Sequence, residues 1–451
     1  MKPLLFLNKY LKRGHERSVQ IKKNIYLSFI IKGLSILVNL SLVPLTIDYV
    51  NAVQYGIWLT LSSIVSWLSF FDIGFGNGLR NKLTEALTLR KITLAKSYVS
   101  TTYAFIALMS LIVFVSVVLM NQFINWQKIL NTSVIDEASL SNIALLIITF
   151  FCLQFLFQLI NTIVISKQET AKASLFNLVS NSITLLIILI IRKQTVGNLY
   201  NLVIVTGSSI VFVLIIASII LFKGAYKNIS PSIKYVKFKF INSLIGVGLK
   251  FFLIQIGAIV LFQTNNIIIS QLFSPIEVTE YNVSFRYFNI SLMIFSILIA
   301  PYWSAFTEAW TKKEFYWINS HLKKLIYIVA LLSFLNIILL IFSDKIFSLW
   351  IGDAVKVRKS LSIIVAISVI FQMWQSIYIN FLNGISKVKL QLILVIITSL
   401  LNIPLAYILG KTIGLSGVIL STVILYLIIG IVVYIQTKKI INNSATGIWN
   451  A

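Results

Sequence analysis

The chain has 451 residues, 58% of them apolar and only 11% charged, where a soluble protein carries roughly 25% charged residues. Its formal net charge of +25 comes from basic residues that lie between long apolar runs, a distribution set by membrane topology, not by nucleic-acid binding. The single cysteine, Cys152, excludes an intramolecular disulfide framework and a cysteine-based metal cluster.

A membrane span takes about 20 mostly apolar residues. Twelve are predicted, at roughly 24–50, 55–75, 97–120, 139–165, 175–191, 199–222, 243–272, 281–304, 322–343, 360–384, 389–410 and 414–436. Residues 1–23 read as a basic tail at the inner leaflet; the run Leu4 to Leu7 is too short for a signal peptide. With that tail in the cytoplasm, the inner connections hold 27 Lys and Arg and the outer ones 8. This positive-inside bias places both termini in the cytoplasm. The expectation is an all-α polytopic membrane protein of about twelve transmembrane helices.

Three cations fall inside apolar runs: Lys32, Lys250 and Arg286. Intramembrane charge is costly and ordinarily faces a cavity, a partner or a substrate. In the first span Ser28, Lys32, Ser35 and Asn39 are spaced as one helical stripe. The next unusual segment, Phe70 to Asn81, holds Asp72, Gly74, Gly78 and Arg80. Its glycine pattern lacks the preceding strand of a phosphate-binding loop. A structural or gating role is expected instead, with Gly74 and Gly78 allowing close helix approach and Asp72 pairing with Arg80 or Lys82. In the seventh span Gln255, Gln263, Asn266 and Ser270 share a face, and in the eighth Asn282, Arg286 and Asn289 do.

Lys32 and Arg286 are therefore the candidate ligands for an anionic group, phosphate being the best match to the planar fork of an arginine. Lys32 lies only some eight residues into its span and also reaches the inner interface by snorkelling, the preferred reading for Lys250. The amides Asn39, Asn282, Asn289, Gln255, Gln263 and Asn266 complete the candidate binding set. No catalytic constellation can be assembled: His15 and His321 lie outside the spans and no carboxylate sits in mid-span. No cofactor or metal site is expected.

Three short matches recur in order at offsets near 223: Gln54-Tyr55 with Glu280-Tyr281, Thr84-Glu85-Ala86 with Thr307-Glu308-Ala309, and Ile165-Ser166-Lys167 with Ile385-Ser386-Lys387. They suggest two six-helix lobes, 24–222 and 243–436, as parallel repeats about a central cleft. Residues 223–242 would be the cytoplasmic linker and 437–451 a cytoplasmic tail.

The run from Tyr55-Gly56-Ile57-Trp58 through Ser69-Phe70-Phe71-Asp72-Ile73-Gly74 to Gly78-Leu79-Arg80-Asn81 resembles bacterial O-antigen and polysaccharide flippases (Wzx-type). These belong to the multidrug/oligosaccharidyl-lipid/polysaccharide exporter superfamily. The resemblance implies a bacterial inner-membrane transporter that moves an undecaprenyl-diphosphate-linked oligosaccharide to the periplasmic leaflet. It further implies a cationic cavity, to which Lys32 and Arg286 correspond by position. Coupling to a proton or sodium gradient is also implied, although the sequence offers no mid-span acid for it. Expected partners are the lipid-linked oligosaccharide, membrane lipids and polysaccharide polymerase machinery, with no nucleic acid. A drug or organic-cation antiporter of the same superfamily is the second reading, but its cavity should present carboxylates. A membrane polymerase or ligase is third, disfavoured by outer connections under twenty residues long.

Overall fold

The computed structural model describes residues 16–68, 75–167, 169–242, 244, 263–299, 302–385 and 387–450. Every long element among them is a helix. In chain order these are α1 (Glu16–Val50), α2 (Ala52–Ser66), α3 (Phe75–Thr88), α4 (Ile92–Asn121), α5 (Trp126–Leu130), α6 (Glu137–Phe157), α7 (Leu159–Ser166), α8 (Thr170–Ile191) and α9 (Leu199–Lys223). After α10 (263–272) come α11 (Pro275–Ile299), α12 (Tyr302–Thr311), α13 (Phe315–Ile351), α14 (Lys359–Gly384), α15 (Lys389–Ile413) and α16 (Leu415–Ile441).

Helices dominate because a backbone in lipid must satisfy its own hydrogen bonds within one segment. Ten spans among the described residues are long and apolar enough to cross a membrane. The other two expected spans, 55–75 and 243–272, are described only in part. Their described helices are α2, 15 residues long, and α10. Asp72, Gly74, Lys250 and Gln255 lie outside the described residues.

Contacts group the chain into two units. The first comprises residues 1–49, 69–124 and 141–252, the second 50–68, 125–140 and 253–451. This grouping differs from a division at the 223–242 segment, because α2 and α5 pack with the C-terminal helices.

The core of the first unit is built by Leu79 and Leu83 on α3, Val99 and Ile106 on α4, Ile160 and Ile163 on α7, and Leu214 on α9. Gly78 shows why a glycine sits here. A Cβ at that position would fall 2.1 Å from the Leu244 carbonyl oxygen. Arg80 is exposed, and Lys82 pairs with Glu85 at 3.0 Å.

In the second unit α2 lies against α11. A Cβ on Gly56 would stand 1.7 Å from the Pro275 carbonyl oxygen, and Thr279 Oγ1 donates to the Ala52 carbonyl at 2.6 Å. The turn into α2 is made by Asn51, which takes a φ of 72° and caps the helix by accepting from the Gln54 N–H. Beyond α11, α14 and α15 flank α16. Gly430 of α16 faces the Trp374 ring of α14, and Ser421 donates to Asn402 Oδ1 of α15 at 3.1 Å. The short α5 is held by Glu137, whose carboxylate accepts from the Trp126 and Gln127 N–H groups, both at 2.8 Å. A carboxylate is favoured there by the unpaired N–H groups of a helix start.

Candidate functional site

The second unit joins two of the polar residues singled out in the sequence to a third that was not. Asn282 of α11 donates through Nδ2 to Asn266 Oδ1 of α10 at 2.8 Å. Asn266 in turn donates to Ser63 Oγ of α2 at 2.8 Å, and Ser63 donates to the Leu59 carbonyl at 2.8 Å. The same Asn282 amide also donates to the Val278 carbonyl at 2.8 Å. Both of its N–H bonds are used, and its Oδ1 is left as an acceptor.

Arg286 stands one helical turn beyond Asn282, on the same side of α11. It is half-buried and forms no ion pair among the described residues. Gln263 of α10 and Asn289 of α11 are half-buried. Beside Asn266, Asn265 donates to Thr422 Oγ1 of α16 at 3.1 Å.

The arrangement follows from local sequence. The Asn282 to Arg286 spacing places amide and guanidinium on one face. Gly56 lets α2 approach α11 closely enough for Ser63 to meet the α10 amides. A cation, a free carbonyl acceptor and two neutral amides suit an anionic group bearing hydroxyls, because the guanidinium donates and the amide oxygen accepts.

The first-unit candidates are held separately. Asn39 of α1 donates to the Ser35 carbonyl at 2.8 Å and accepts from Asn181 Nδ2 of α8 at 3.1 Å. Lys32 is half-buried two turns earlier on α1.

Sequence reading missed two features. Ser63 lies in a run of small hydroxyl residues that gives no contrast. The other is Glu280, whose side chain is only 6% exposed. Arg358 grips it through Nε at 2.9 and 3.0 Å, through Nη2 at 2.6 Å and through its backbone N–H at 2.8 Å. Glu277 stands 3.7 Å from the same guanidinium. The acceptor Glu280 holds the Arg358 proton more firmly than usual, outweighing partial burial, and Glu280 and Glu277 add to the effect by charge. Such a pair, 78 residues apart in sequence, has no periodic signature.

With ten membrane-length helices among the described residues and this internal polar set, the molecule is a multi-pass membrane protein of the MATE fold. An inward-facing multidrug resistance MATE transporter of the MOP superfamily superposes at a TM-score of 0.76, covering 93% of this chain and 98% of that one at 13% identity. An outward-facing structure of such a transporter gives 0.63, covering 94% and 96% at 16% identity. Residues 251–408 match the MatE family. A Salmonella typhimurium (strain LT2) protein named "Putative O-antigen transporter" is 24% identical over 405 residues, 86% of this chain and 89% of that one.

Proposed function

We propose that this protein is a bacterial inner-membrane flippase that carries a diphosphate-linked polyprenyl oligosaccharide from the cytoplasmic to the periplasmic leaflet. The observation that carries the reading is Arg286: a half-buried cation in a membrane helix, unpaired among the described residues, one turn from the Asn282–Asn266–Ser63 chain. A cation kept in a membrane without a carboxylate is suited to receive an anion. The resemblance of the Salmonella protein supports a surface-glycan cargo. In this proposal Arg286 holds the diphosphate. Asn266, Asn282, Asn289, Gln255 and Gln263 are proposed to receive the sugars, while the polyprenyl tail stays in lipid. Both inward- and outward-facing structures of the fold are known, so alternating access is the proposed cycle. Asp72, Gly74, Gly78 and Arg80 are proposed to serve packing and gating. The exported repeat would pass to a polysaccharide polymerase.

Deletion of the gene in its native bacterium, with lipid-linked sugars followed by leaflet, tests this. Surface glycan should fall while the lipid-linked repeat accumulates on the cytoplasmic side. Wild type should rescue, Arg286→Lys in part, and Arg286→Ala not at all. Normal glycan and normal lipid-linked pools on deletion would favour export of small organic cations instead.

A further inference from the structure

The segment 223–242, expected to be a linker, is built into the first unit. Tyr226 and Ile229 lie in that unit's core. The Ser232 N–H donates to Ser100 Oγ of α4 and the Lys237 N–H to Thr101 Oγ1, both at 3.0 Å. The Lys96 ammonium sits 4.6 Å above the Tyr235 ring, and Phe240 packs edge-on to Tyr98 at 5.0 Å. With so many inward ties, the outward-facing residues are unexpected. Ile233 is 92% exposed and Phe238 67% exposed. Around them Lys227, Lys234, Lys237 and Lys239 are exposed, and residues 223–242 contain no carboxylate.

The depth of the segment explains the combination. The 30 residues of α4 extend about 45 Å, some 15 Å more than the hydrocarbon core. Apart from Ile92 in its first turn, its exposed large apolar residues, among them Leu108, Leu111, Ile112 and Val115, all come after Thr102. Ser100 and Thr101 therefore stand where headgroups meet acyl chains, and the segment bonded to them lies at that level. It also follows directly on Lys223, where α9 ends. Apolar tips between lysines at this depth match an interfacial anchor.

We infer that residues 223–240 form a fixed interfacial anchor that binds anionic phospholipid headgroups, with Ile233 and Phe238 dipping into the bilayer. The positive-inside bias makes this the inner leaflet. The occupant is bulk anionic lipid, since both the charge and the continuity with α9 and α4 point to the membrane surface. The inference is independent of the cargo.

Because Cys152 is the sole cysteine, a Cys152→Ala background allows clean spin labelling. Ile233→Cys and Phe238→Cys, with Gln194→Cys as an exposed reference on another connection, would be labelled in the full chain. Nanodiscs would contain phosphatidylcholine alone or an equal mixture with phosphatidylglycerol. Labels at 233 and 238 should meet oxygen readily and a nickel chelate far less than the label at 194. The purified protein should also retain phosphatidylglycerol in detergent, with affinity falling about fivefold for each of Lys227→Gln, Lys234→Gln and Lys239→Gln. Nickel access at 233 and 238 equal to that at 194 would overturn the anchor. Shielded labels with lipid retention indifferent to the three lysines would overturn the headgroup recognition.

Discussion

Removing the Arg358 side chain should destabilise the second unit by an amount the geometry sets. Replacement by alanine deletes the Nε and Nη2 bonds to Glu280 and leaves only the backbone N–H at 2.8 Å. Breaking a fully buried pair on one side costs about 3–5 kcal/mol, because the remaining charge is left without its partner. The Arg358 side chain is 49% exposed, so water screens part of that attraction and the expected loss is about 2 kcal/mol. In a body of 150–250 residues this lowers the melting temperature by about 4–8 °C. Thermal denaturation of the full chain in detergent, followed by tryptophan fluorescence, would read the change. Adding Glu280→Gln should restore part of the loss, since no orphan charge then remains. An Arg358→Ala protein melting within about 1 °C of wild type would refute the reasoning. So would a double variant whose loss equals the sum of the single ones.

At Gly56, alanine would force its Cβ against the Pro275 carbonyl oxygen 1.7 Å away, costing about 1–3 kcal/mol as α2 and α11 part. An unchanged melting curve for Gly56→Ala would contradict that packing. Asn282→Ala should cost about 1–3 kcal/mol by stripping Asn266 Oδ1 of its donor. Asn289→Ala, half-buried on the same helix, should stay within about 0.5 kcal/mol in the same measurement. Glu169 lies on the connection between α7 and α8. Burial pushes its carboxyl up, but the Lys172 and Tyr226 hydrogen bonds and the charges of Lys172 and Lys167 together bring it below the ordinary 4.5. Its stabilising effect is therefore complete above pH 4.5 and is lost as pH falls through the depressed folded value. Chemical denaturation of wild type and Glu169→Gln across this range should show the gap closing with acid. A gap that widens would reverse the sign.

The parts of the fold legible in sequence were those governed by one helix at a time. Long apolar runs announced twelve spans, ten of which are membrane-length helices among the described residues, and the four-residue step from Asn282 to Arg286 announced a shared face. Gly74 and Gly78 drew notice as a possible close-approach pair because they stand four residues apart. What escaped notice depends on pairing between helices. Ser63 becomes a partner of Asn266 only because Gly56 lets α2 close on α11. Glu280 entered the sequence reading only as part of a repeat landmark, because its partner Arg358 stands 78 residues away. The alternation of lysine with bulky apolar residues from Ile233 to Phe240 was visible in sequence, but only the bonds to Ser100 and Thr101 fix its depth.

The Asn282–Asn266–Ser63 chain also has a sense. Each member donates onward, from α11 through α10 to the Leu59 carbonyl of α2. Amide and hydroxyl dipoles so arranged add head to tail and polarise one another. The negative pole emerges at Asn282 Oδ1, one turn from the guanidinium of Arg286. A membrane protein that neutralised this arginine with a carboxylate would spend its charge internally. A neutral dipole cannot cancel a unit charge, and, having no titrating group of its own, it keeps its sense equally in acid and in base.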